Sequence, residues 1–210
     1  MRVWHESGKK WLRTLSLLIA FGLVVVGFFM THVPLTEKYA GISSIAVLVF
    51  AWPAYYSITR SIGVRRGLPL LAVLTLYALL IETVALRTGF PYGNFIYTGK
   101  IGVKLFGVTP WTVAFAWPPL AIGSYAAATH LTPKKSARAA IATFLLVMAD
   151  MVIDPASVSL GFWKYVRGGF FYGVPLSNFL GWIGTGFIGV LILSRFLSSH
   201  KPWPRSYTSS

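Results

Sequence analysis

The chain has 210 residues, 55% of them hydrophobic, 16% aromatic and only 11% charged, with no cysteine, and its mean hydropathy is +0.66. That balance excludes a soluble globular domain, a disulfide scaffold and thiolate metal sites, and it points to an integral membrane protein. The net charge of +14 is scattered over short stretches and forms no groove-sized patch, so no nucleic-acid partner is expected.

Residues 14–30 form the first charge-free stretch, behind a basic, Trp-containing leader; no small-residue cleavage site follows Met30, so the stretch reads as a helix and not a signal peptide. Further apolar stretches cover 39–59, 67–87, 105–133, 137–154 and 168–194. Each is long enough, or nearly so, to cross ~30 Å of hydrocarbon. The expected fold is therefore all-α: one polytopic transmembrane domain over 1–210 with about six spans and a polar tail at 197–210. Thirteen of the nineteen Lys and Arg residues fall on the N-terminus, the 60–66 and 134–138 loops and the C-terminal tail. By the positive-inside rule both termini are expected on the cytoplasmic side of the cell membrane, against anionic lipid head groups, with the 88–110 and 155–175 segments outside.

The chain also repeats itself. Trp52, Trp117 and Trp182 are spaced 65 residues apart, the first two inside the tripeptide AWP (51–53 and 116–118). Two units, about 51–115 and 116–181, each read as an AWP helix, a basic turn, a helix ending in an acid, and a Gly- and aromatic-rich outer segment. Glu82 precedes Gly89-Phe90 by seven residues, as Asp154 precedes Gly161-Phe162, and FGVTP (106–110) echoes YGVP (172–175). A duplicated helix pair keeps its orientation, so the spacing predicts a parallel repeat around an axis along the membrane normal, with Glu82 at the depth of Asp150 and Asp154.

Those three are the acids of the apolar stretches in a chain with only five. Four residues apart, Asp150 and Asp154 share a helix face. Carboxyls in spans face a bundle interior or a wet cavity and act there, so three at one depth predict a polar pocket able to exchange protons. Plainer readings stand beside this one. Pro155 disfavours helix at Asp154, which would end the span there, and Glu82 could be a structural partner of Arg87. Asp150, inside LLVMADMVI, has no neighbouring base.

The outer segments 88–111 and 161–182 are punctuated by Gly and Pro and crowded with Tyr, Phe and Trp. Such aromatics ordinarily form an interfacial belt. Non-helical backbone at membrane depth must be buried by protein or line a cavity, so these segments are expected to fold over the pocket as lids. Aromatic faces there would stabilise a cation, and a Tyr or Asn178 would hold a water.

Three ordered motifs, ETVALRTGFPYGNFIYT (82–98), DMVIDP (150–155) and FFYGVPLSNFLGW (170–182), resemble the membrane-bound carotenoid hydratases, and the likeness covers roughly 45–195. The resemblance implies cofactor-free addition of water to the terminal isoprenoid double bond of an acyclic carotenoid, through a tertiary carbocation, with a lipophilic carotenoid and the bilayer as partners. It puts Glu82, Asp150 and Asp154 in the acid/base set. Tyr92, Tyr97, Trp163, Tyr172 and Asn178 would form the pocket wall, and Trp117 and Trp182 are added to the substrate-contacting set.

Other classes share parts of the pattern. A carotenoid end-group cyclase would begin with the same protonation and exclude water. The DxxxD spacing of DMVID also occurs in Mg²⁺-dependent membrane prenyltransferases, which need a second Asp-rich motif, and a proton-coupled carrier could use acids at a repeat interface. The four histidines fall at termini or span ends, and no phosphate loop or dinucleotide fingerprint is present, so neither a metal site nor a cofactor is expected.

Overall fold

The computed structural model describes residues 36–198; the expected first span at 14–30 and most of the polar tail lie outside them. Five long helices follow in order: α1 (Ala40–Ile62), α2 (Val64–Thr88), α3 (Val113–Leu131), α4 (Lys135–Ser159) and α5 (Leu176–Ser198). Among the described residues, α1, α2, α4 and α5 are long and apolar enough to cross a membrane. The shorter α3 carries Pro118, Pro119 and His130, which lower its hydropathy, and it packs against all four others. Its polar and small residues, Ser124, Tyr125, Ala121 and Ala128, are buried in the bundle instead of facing lipid.

One residue, Gly63, separates α1 from α2. Its φ of 82° is open to glycine and strained for L side chains, and it lets α2 fold straight back onto α1. The return is close: a Cβ at Gly67 would lie 2.9 Å from the Thr59 backbone. A second short turn at 132–134 joins α3 to α4. Both turns lie at one end of the bundle, so the longer connections, 89–112 and 160–175, share the other.

Those connections hold four short strands that an all-α expectation leaves out: β1 (Phe95–Tyr97), β2 (Lys104–Leu105), β3 (Thr109–Pro110) and β4 (Trp163–Tyr165). β1 and β4 pair antiparallel with Phe95 opposite Tyr165, Ile96 opposite Lys164 and Tyr97 opposite Trp163. The ribbon thus ties the segment after α2 to the segment after α4. β2 and β3 form a small hairpin.

Two apolar clusters follow. The larger runs through all five helices and includes Ile58, Leu70, Leu74, Trp117, Tyr125, Leu146 and Leu193. The smaller lies at the ribbon end around Ala85, Tyr92, Phe95, Tyr165, Val174 and Phe179. Trp182 packs against both.

Helix α4 does not stop at Pro155. It runs on to Ser159, so Asp154 is a residue of the helix interior and not its terminus. Proline removes one backbone donor, a loss that spanning helices absorb. The hydrogen bonds that converge on Asp154 hold that turn in place.

Candidate active site

Asp150 and Asp154 lie one turn apart on α4 and are 2% and 4% exposed. Facing them, near the start of α5, is Asn178, itself 2% exposed. Its Nδ2 donates to Asp150 Oδ2 at 2.8 Å and to Asp154 Oδ2 at 2.7 Å. The amide thus spends both of its protons on the two carboxyl groups, and the four-residue spacing is what lets one side chain reach both.

The ribbon supplies the rest. In an antiparallel pair, opposed residues and their i+2 neighbours share a face, so Phe95, Tyr97, Trp163 and Tyr165 line one side. Ile96 and Lys164, between them, are exposed. Trp163 Nε1 donates to Asp154 Oδ1 at 2.7 Å, and the Tyr165 hydroxyl donates to Asp154 Oδ2 at 2.8 Å. Tyr97 donates to Glu82 Oε1 at 2.7 Å. The four rings form a continuous row, meeting edge to face or tilted: Tyr97 to Trp163, Phe95 to Tyr97 and Phe95 to Tyr165 have centroid separations of 5.5, 5.6 and 5.5 Å. Aromatic contacts of this kind add stability beyond area burial.

Glu82, partly buried on α2, has Tyr97 as its partner rather than Arg87, which is exposed. It lies within Coulombic reach of both Asp150 and Asp154, so the structure brings the three acids of the apolar stretches into one group. Asp154 is the most heavily engaged, with three neutral donors on its two oxygens. That environment of N–H and O–H groups does not resemble the donor set of a magnesium diphosphate site, in which carboxylate lone pairs turn to the metal.

The remaining sequence-derived residues separate. Tyr92 is buried beside the acids, its hydroxyl 3.0 Å from Thr185 Oγ1, and Trp182 lies against it with centroids 6.3 Å apart. Tyr77 donates to the Thr185 carbonyl at 2.6 Å, extending this polar track into the bundle. Trp117 sits deeper, edge-on to Tyr77 at 5.5 Å and packed so closely on α5 that a Cβ at Gly189 would overlap its ring; it is a core residue. Tyr172 is 78% exposed and its ring meets only Phe171 among the described rings. Tyr165 and Phe95 were not in the set read from the sequence. Their signal is the aromatic-x-aromatic alternation of 95–97 and 163–165, too short to stand out as strands.

Burial first, and then the neighbouring carboxylates, push the Tyr97 and Tyr165 hydroxyls above the ordinary tyrosine value; burial does the same to Tyr92. These hydroxyls stay donors where an unfolded tyrosine, titrating near ~10, has lost its proton. Above that pH the unfolded state binds fewer protons than the native one, so stability falls as pH rises; below it these groups add no pH dependence. Thermal melting in detergent should therefore drop above pH ~10, and a Tyr97→Phe, Tyr165→Phe double variant should lose part of that drop. Identical slopes for parent and double variant would contradict the assignment.

Comparison with known proteins bears on the chain as a whole. Bisanhydrobacterioruberin hydratase of Haloarcula japonica is 40% identical over 134 residues, which is 61% of this chain and 44% of the relative. The chain thus spans less than half the length of that relative. No solved structure matches this chain. The carotenoid biosynthesis protein family matches residues 39–208, a stretch that contains every helix, the ribbon and the acid cluster described above, and the chain belongs to that family.

Proposed function

We propose that the protein is a carotenoid hydratase: it adds water across the terminal isoprenoid double bond of an acyclic carotenoid and yields a tertiary alcohol. The observation that carries this reading is a group of three carboxyls, two of them bridged by Asn178 and the third held by Tyr97, beside a row of four aromatic rings. Asp150 gives its proton to the less substituted alkene carbon, and the positive charge develops on the dimethyl-substituted carbon. The faces of these aromatic rings stabilise that charge, as aromatic quadrupoles do for cations. A water held by Glu82 attacks the cation. Asp154, whose Oδ1 keeps one lone pair beside Trp163, takes the proton that the water sheds. The proton then returns from Asp154 to Asp150, directly between the carboxyl oxygens or through a water, while Asn178, in contact with both aspartates, holds the pair in place. The sum is alkene plus water to alcohol, with no redox change.

In this proposal the chain crosses the membrane six times, including 14–30, with a duplicated helix pair at its centre and both termini cytoplasmic. Support comes from the equal Trp52, Trp117 and Trp182 spacing, from the local two-fold relation between β1 and β4, and from the acid-bearing helix that precedes each ribbon strand. The ribbon would then lie at the outer interface, where a polyene crossing the bilayer presents its end group and water is at hand.

Expression in a host that accumulates lycopene tests the reaction. The pigments should gain the mass of one water per reacted end group, and the product should behave as a tertiary alcohol. Pigment isomerised to a ring with unchanged mass would replace hydration by cyclisation, and unchanged pigment would refute both.

A further inference from the structure

Two hairpin tips at the ribbon end repeat an unusual feature. In the first, Val108 N–H bonds the Leu105 carbonyl at 3.1 Å around Phe106 (φ 52°) and Gly107 (φ 71°). In the second, Val174 N–H bonds the Phe171 carbonyl at 2.9 Å around Tyr172 (φ 50°) and Gly173 (φ 87°). Positive φ at both central positions defines tight turns that normally take Asn-Gly or Gly-Gly. A bulky aromatic in the left-handed region is strained and rare, and Phe106 and Tyr172 are the two non-glycine residues that adopt it among the described ones.

The strain obtains little packing in return: the Tyr172 ring meets Phe171, yet both strained rings stay largely exposed. Phe106 is 77% exposed and Tyr172 78%. A Cβ at Gly107 would meet nothing within 4 Å, so the first tip stands in open space. Phe90, Val103, Val166 and Phe170, in the same two segments, are exposed as well. Lys164 and Arg167 are exposed beside them. The tips are also tethered tightly to the bundle. Phe106 precedes the start of α3 by seven residues, and Tyr172 precedes the start of α5, a helix able to span a membrane, by four.

We infer that Phe106 and Tyr172 are paired interfacial anchors that dip into the bilayer head-group region and hold the two lid segments against the membrane surface. Apolar rings on short tethers beside the ends of spanning helices lie where aromatic residues partition best, and the adjacent Lys and Arg face lipid phosphates. This separates Tyr172 from the substrate-contacting set. A ring exposed at the tip of a turn cannot line the acid cluster, whereas in the interface its exposure is to lipid. The inference does not depend on the reaction catalysed.

The absence of cysteine makes the test clean. Phe106→Cys and Tyr172→Cys, each carrying an environment-sensitive NBD label, are reconstituted as full chains in phosphatidylcholine–phosphatidylglycerol vesicles. The expected result at both positions is blue-shifted emission, strong quenching by lipid with a doxyl group near the head group, and weak quenching by aqueous iodide. Both sites are exposed, so labelling leaves the fold intact, and retained helix content by circular dichroism verifies it. Iodide quenching without lipid quenching would overturn the inference in favour of water-facing tips. Protection from both quenchers would overturn it in favour of a protein contact.

Discussion

Asp150→Asn should lower carotenoid hydration on the order of a hundredfold or more, the scale typical of lost general acid–base groups. The substitution is unusually clean here. Asp150 is held through Oδ2 by the Asn178 amide, and the carbonyl oxygen of an introduced Asn can accept that same hydrogen bond. Volume, packing and the contact survive while proton exchange is removed. The fold should therefore keep its melting temperature, since a neutral amide takes the place of a neutral carboxylic acid. Rates are read from the pigment products of purified, reconstituted protein. A well-folded variant working at the parental rate would take Asp150 out of the mechanism and leave Glu82 and Asp154 to carry it.

Asn178→Leu should do the opposite kind of damage, to stability and chemistry together. Leucine fills nearly the same space but deletes both donors of the bridge. Asp150 and Asp154, both buried, are left facing each other without the amide that now binds them. A hydrogen bond to the protonated Asp150 contributes about 0.5–1.5 kcal/mol and one to the ionised Asp154 about 1.5–3 kcal/mol, so a destabilisation of at least roughly 2 kcal/mol is expected. Hydration should fall with it, because the two carboxyls lose the contact that fixes their positions. Thermal melting and product formation check the two effects separately. Unchanged melting would show that the bridge holds nothing. Normal turnover in a destabilised protein would confine Asn178 to a structural part.

Much of this was legible before any coordinates, for physical reasons specific to membranes. A carboxyl in an apolar run is costly and rarely lacks a reason, so Glu82, Asp150 and Asp154 stand out from the sequence, and the structure gathers them. The helices in the described residues lie close to the apolar stretches, because hydropathy measures what the bilayer requires. Local rules did less well. The rule that proline ends the helix before it fails at Asp154, where Trp163, Tyr165 and Asn178 hold the turn. Equal spacing placed Trp52, Trp117 and Trp182 in register without fixing their surroundings: Trp52 is exposed, Trp117 is in the core and Trp182 joins the two apolar clusters. Side-chain direction depends on which face each helix turns inward, and a one-dimensional period does not carry that. The ribbon was hidden for a related reason. Three residues per strand give too short an alternation to read, and the partner strand is some seventy positions away.

That separation has a further consequence, for the order in which the molecule is assembled. α1 with α2, and α3 with α4, are neighbours joined by turns of one to three residues, so each can form as soon as its own stretch has been synthesised. The β1–β4 pairs, from Phe95 with Tyr165 to Tyr97 with Trp163, close a loop that contains both α3 and α4, and loops of that size form after local contacts. Asn178 emerges later still. Until then Asp150 and Asp154 sit in a nascent bundle without their donors, so the acid cluster is completed last, and only a chain that has reached the start of α5 can hold it.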